Sequence, residues 1–186
     1  MFIFTIDKHL AMKLLLALLL TFAFDTLCAQ KIIINGEEGT RPLTWSDFAG
    51  TPDNSNPFFA YTFWNLSYRF TGAHFTGDAA QLEGFEITLK FDPQASWVKP
   101  GKQTDGLLKH EQGHFNAGLL CLREAMNAVA AAHFTRSGYL DEVKTLVSNT
   151  VQKYKDMNLR YDEETAHSIN KEAQARWNAF FEKELR

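Results

Sequence analysis

Residues 64–70 alternate with a period of two. Trp64, Leu66, Tyr68 and Phe70 fall on one face, and Asn65, Ser67 and Arg69 on the other. The same alternation returns at 85–91, where Phe85, Ile87, Leu89 and Phe91 oppose Glu86, Thr88 and Lys90. Successive side chains of a strand point to opposite faces, so both segments predict half-buried strands of an antiparallel sheet. Gly72, Gly77, Asp78 and Gly84 mark the connection between them. A short β-branched run at 31–35 precedes these strands, and residues 42–56 are rich in turn formers around Trp45 and Phe48, two expected core anchors. Asp92-Pro93 and Pro100-Gly101 close the β region.

The period then changes. Leu107, His110, Glu111, His114, Gly118, Cys121, Leu122 and Val129 follow helical i, i+3, i+4 spacing, with Thr104 or Asp105 as the cap. A second helix is expected over 139–158, with Leu140, Val143, Val147, Val151 and Tyr154 on one stripe. A third is expected over 169–185, capped by Ser168, with Ile169, Ala173, Trp177, Phe180 and Phe181 inward. Between the second and third helices, 161–168 reads as a loop. The fold class predicted is α+β: an N-terminal antiparallel β-sheet followed by a three-helix bundle.

The N-terminus does not belong to this plan. Lys8 and Lys13 precede an apolar run at 14–24, too short to span a bilayer comfortably. Leu27-Cys28-Ala29 reads as a cleavage site, so 1–29 is expected to be a signal peptide and 30–186 a single exported domain, periplasmic or secreted. Asp25 stands where a lipoprotein signal wants an aliphatic residue before Cys28, which disfavours that reading. The leader takes two charges of each sign with it, so the net charge of −3 is unchanged. With no basic stripe, nucleic acid and anionic membrane surfaces are excluded as expected partners. Cys121 is left alone, without an internal partner for a disulfide, and reads as a small buried apolar residue.

The helix over 107–129 carries the chemistry. His110-Glu111-Gln112-Gly113-His114 is an H-E-x-x-H sequence. Histidines at i and i+4 project from one helix face, where both rings can bind one metal ion, and the intervening glutamate reaches a water on that metal. The arrangement points to a Zn2+ site with Glu111 as general base. A catalytic zinc needs a third protein ligand. The metzincin continuation would require glycine and histidine where this chain has Ala117 and Leu120. The segment 161–168 supplies candidates: His167 is the favoured third ligand, Glu164 the alternative, and Asp162 an acceptor that orients a ligand imidazole. Tyr161 is a candidate donor to the oxyanion. His74 and His133 read as ordinary surface histidines. Gly113 and Gly118, costly inside a helix, fit close approach of another group.

Residues 107–115 resemble the core of a bacterial domain-of-unknown-function family of predicted secreted zinc-dependent proteases. Leu43-Thr44-Trp45, Ser96-Trp97-Val98 and the late Tyr161-Asp162-x-x-Thr165-x-His167 pattern extend the resemblance over nearly the whole mature chain. That pattern ends in glycine, where this chain has Ser168. The resemblance implies a zincin-like fold and protease class and supports His167 as ligand, without implying a substrate. The expected function is therefore a zinc metallopeptidase acting on a peptide or protein, with residues 86–90 as an edge for substrate pairing. The alternative is an exported non-catalytic domain that binds zinc structurally, or binds a partner or the cell wall.

Overall fold

The computed structural model describes residues 28–186. The signal peptide expected over 1–29 lies outside the described residues except at its last two positions. The fold is α+β, with three small sheets packed against three helices. The strands are β1 (Ala29–Ile34), β2 (Glu37–Glu38), β3 (Ala60–Tyr61), β4 (Trp64–Arg69), β5 (Gly72–Thr76), β6 (Ala79–Glu83), β7 (Glu86–Phe91), β8 (Trp97–Val98) and β9 (Phe134–Thr135). The helices are α1 (Asp105–Ala131), α2 (Tyr139–Thr165) and α3 (Lys171–Glu184). No helix among the described residues is long and apolar enough to cross a membrane.

The largest sheet has the order β2-β1-β7-β4. Both period-two segments are strands, paired antiparallel with Trp64 opposite Phe91 and Leu66 opposite Leu89. The sheet as a whole is mixed, not antiparallel, because β1 runs parallel to β7. A parallel pair needs a long crossover, here the whole of 35–85, and no local signal in the sequence announces it. Phe85, Ile87, Leu89 and Phe91 are buried against α1, where Phe115 meets Phe91 edge-on at 5.9 Å. Burying a side chain such as Leu89 contributes about 2 kcal/mol.

Helix α1 starts where expected: the Thr104 hydroxyl caps it by accepting from the Leu107 N–H at 3.2 Å. Helix α2 departs from expectation. It continues seven residues past 158, through the segment read as a loop. No glycine or proline interrupts 139–165, and Asn158, Tyr161, Asp162 and Thr165 fall at helical spacing on one face toward α1. The Thr165 hydroxyl donates back to the Tyr161 carbonyl at 2.6 Å. The helix ends in three consecutive left-handed residues, Ala166 (φ 45°), His167 (φ 51°) and Ser168 (φ 76°). Ser168 is therefore not a helix cap. That role belongs to Asn170, whose side chain accepts from the Ala173 N–H at 3.1 Å. Ala173, Trp177 and Phe181 are buried as expected, whereas Ile169 and Leu140 point to solvent.

Candidate metal centre and cleft

The HExxH face of α1 meets the last two turns of α2. His110 and His114 are buried, and their Nε2 atoms lie 3.3 Å apart. Asp162 Oδ1 stands 3.1 Å from His110 Nε2 and 3.0 Å from His114 Nε2. These three donor atoms form a compact group able to hold a metal ion. Donors bound tetrahedrally at metal distances of about 2.0–2.1 Å lie roughly 3.4 Å from one another, so the spacing fits one ion.

The other ring nitrogens fix the tautomers. The Gln174 amide donates to the Tyr161 hydroxyl at 2.6 Å and to Asn178 at 3.0 Å, so its oxygen faces His110 Nδ1 at 3.0 Å and accepts that N–H. The Asn158 side-chain oxygen lies 3.2 Å from His114 Nδ1, placed to accept its N–H. Both Nδ1–H groups being spent, both Nε2 atoms present lone pairs. Two lone pairs and a carboxylate oxygen then converge with no donor of their own between them, an arrangement that a proton or a cation would satisfy.

The metal-free protein titrates accordingly. Burial opposes ionisation of Asp162, yet hydrogen bonding and charge from His110 and His114 hold its carboxyl far below the usual range. Burial also lowers the His114 pKa, but contact with the Asp162 carboxylate outweighs this and the net shift is upward. Glu111 is pushed up by burial. Its Oε2 accepts from the Thr62 hydroxyl at 2.7 Å, and its Oε1 is unengaged among the described residues.

Three expectations change. Among the described residues, the donors close enough to share one ion are His110, His114 and Asp162, and His167, the favoured third ligand, lies outside that group. His167 stands beside it: its Nδ1 is 3.1 Å from Asp162 Oδ1 and its ring lies on Phe58 with centroids 3.7 Å apart. The extended helix explains the exchange, because Asp162 is carried inward on the helix face while His167 falls beyond the helix end. Glu164 points elsewhere and accepts from Trp177 Nε1 at 2.8 Å. Tyr161 does not reach the site as an oxyanion donor. Its hydroxyl is fully buried, donates to the His110 carbonyl at 3.1 Å and accepts from Gln174. The phenol lining the cleft is Tyr61, its ionisation pushed up by burial and by the Asp162 and Glu111 carboxylates.

Both x positions of the motif have structural work. Gln112 accepts the Leu43 N–H at 2.7 Å and so anchors the Leu43-Thr44-Trp45 segment to α1. Gly113 lies against the Tyr161 ring, where a Cβ would come within 2.6 Å of Cζ. Gly118 instead admits Trp64 and Leu89 of the sheet, with closest approaches of 3.0 and 3.1 Å. Cys121 is buried, its thiol pushed up to about 12 by burial. His74 and His133 line a separate hollow of about 340 Å³.

A cleft of about 730 Å³ opens over His110, Glu111 and His114. One wall is the continuous segment 57–64, and the other is α2 with the 166–169 turn. Strand β7, expected to offer an edge, is paired on both sides by β1 and β4 and offers none. Sequence reasoning missed Thr62, Asn158 and Gln174. The first and last are brought in by tertiary packing alone; Asn158 had a signal, its i, i+4 relation to Asp162.

No curated protein and no solved structure matches the chain at a significant level. Residues 43–168 match a family described as bacterial protein of unknown function (DUF922). This span runs from the Leu43 anchor to the left-handed turn behind the candidate metal centre and covers about two thirds of the chain, which therefore belongs to that family.

Proposed function

We propose that the protein is an exported, periplasmic or secreted, zinc-dependent peptidase. The observation that carries the reading is the convergence of two imidazole lone pairs and one carboxylate oxygen beside a buried glutamate at the floor of an open cleft. His110, His114 and Asp162 would hold the ion, and Gln174 and Asn158 would keep the two imidazoles oriented. Zinc supplies Lewis acidity that makes water a nucleophile near neutral pH.

Glu111 takes the proton of the attacking water and returns it to the leaving amine. Burial raises its pKa toward the working range of such a base, and the Thr62 hydroxyl holds one carboxylate oxygen while the other stays available. A structural zinc site would have no use for an acceptor in this place, which weighs against the non-catalytic alternative. Purified protein should take up one zinc ion per chain. Asp162→Ala should abolish that uptake, and His167→Ala should retain it. Undiminished zinc binding by Asp162→Ala would refute the assignment.

A further inference from the structure

Seven large apolar side chains are exposed among the described residues, and five of them rim the one cleft over the metal centre. Phe59, Tyr61 and Phe63 stand on one wall, and Leu159 and Ile169 on the other. The last two are 69% and 75% exposed, and with the three aromatics they line one cleft instead of being scattered singly over the surface. Outside the metal centre and Glu111, Lys155 is the only charged side chain lining the cleft.

The backbone of the aromatic wall specifies what lies along it. Phe59 and Phe63 turn their main-chain groups toward β8 and the turn before it. The Phe59 carbonyl accepts from the Lys99 N–H at 2.8 Å, the Phe63 carbonyl accepts from the Asp92 N–H at 3.0 Å, and the Phe63 N–H donates to Ser96 Oγ at 2.9 Å. With a period of two, Ala60 and Thr62 turn theirs the opposite way, away from β8. Among the described residues β3 pairs with β8 alone, so the edge toward which these groups turn is unpaired. Strand β4, which continues the segment, is likewise an edge of the large sheet. An unpaired edge beside Glu111 demands donors and acceptors at main-chain spacing, which an extended polypeptide has and a lipid tail lacks.

We propose that the cleft binds an extended polypeptide with bulky apolar side chains flanking the bond over Glu111, paired to the 60–62 edge and covered by Leu159 and Ile169. The inference rests on the peptidase reading and names its substrate class. The direct test uses zinc-loaded Glu111→Gln protein, in which any turnover should be slowed enough to leave the peptide intact, and a blocked eight-residue fluorescent peptide with Phe-Leu at the centre of Gly/Ser flanks. This peptide should bind at least about tenfold more tightly than its Ser-Ser counterpart, the scale expected for burying one or two large apolar side chains. Leu159→Ser/Ile169→Ser should lose about tenfold for the apolar peptide while keeping one zinc per chain. N-methylation of the central peptide bonds should also weaken binding.

Equal affinity for the two peptides, indifference to the rim substitutions, or binding to phosphatidylglycerol vesicles without any peptide preference would overturn the proposal. Hydrolysis by the wild-type chain is scored separately. Tight, apolar-selective peptide binding without Glu111-dependent cleavage would sink the peptidase reading and leave the peptide site standing. Glu111-dependent cleavage without apolar preference would do the reverse.

Discussion

Replacing Gly113 by alanine tests how α1 and α2 are locked together behind the metal centre. In an exposed helix interior the change should stabilise by about 1 kcal/mol. Here the new Cβ would lie 2.6 Å from Tyr161 Cζ and 2.8 Å from Cε1, and closer still to the hydroxyl. The ring has no room to withdraw. It is fully buried, packs on Trp177 and Phe181, and its hydroxyl is held by the His110 carbonyl and the Gln174 amide. Overpacking of this kind costs about 1–3 kcal/mol, and each hydrogen bond lost about 1 kcal/mol more. Set against the propensity gain, the net loss should be about 2–3 kcal/mol, or a fall in Tm of roughly 5–10 °C for a chain of this size. Because Tyr161 and Asp162 are neighbours on α2, zinc affinity should fall as well. The control is Gly118→Ala, whose Cβ would meet only side-chain atoms of Trp64 and Leu89 at 3.0–3.2 Å, and should cost less. Denaturant unfolding with chelator present, followed by zinc titration, measures both quantities. A Gly113→Ala protein as stable as wild type, or more stable, would refute the reasoning.

Other outcomes follow from the same geometry. Ser168 holds a φ of 76° that a side chain adopts at a cost, so Ser168→Gly should stabilise by about 1 kcal/mol and raise Tm by roughly 2–4 °C; an unchanged or lower Tm would count against the left-handed turn. Gln174→Leu removes the acceptor for His110 Nδ1–H and the donor to Tyr161, and should weaken zinc binding by about 10–100-fold in a chelator competition. The pKa values of His114 and Glu111 are both raised in the metal-free fold. Each therefore contributes stability present below its unfolded value and lost as pH rises through its folded one. Asp162 has a depressed pKa, and its contribution is already complete above the ordinary aspartate range. Metal-free protein should thus lose stability between about pH 5 and 8, and added zinc should restore more at pH 8 than at pH 5, since ligands bind deprotonated. Metal-free stability that rises steadily over that interval would contradict these shifts.

The sequence made some of this legible and hid the rest for physical reasons. Strands β4 and β7 and helix α1 stood out because each buries one face and so writes its period into the chain. The parallel pairing of β1 with β7 leaves no such mark, since a period-two segment carries no label for its partner. The end of α2 was misread because its inward face is polar. Asn158, Asp162 and Thr165 turn toward His110 and His114, and the stretch looks like a solvated acidic loop when hydrophobicity is the only guide. The longer helix carries Asp162 between the two imidazoles and leaves His167 behind it, 3.1 Å from its Oδ1. Gln174 and Thr62 sit 64 and 49 residues from the motif residues they touch, beyond the reach of any local pattern.

In the proposed reaction Glu111 acts as a base on water activated at the His110–His114–Asp162 centre. The direct measurement is zinc content and peptide hydrolysis of the wild-type chain and of Glu111→Gln, side by side. Wild type should carry one zinc per chain and cleave. Glu111→Gln should keep the zinc and lose about 10²–10⁴-fold in kcat, the range for removing a general base. Full cleavage by a zinc-loaded Glu111→Gln protein, or a wild-type chain that takes up no zinc, would overturn the zinc-peptidase reading.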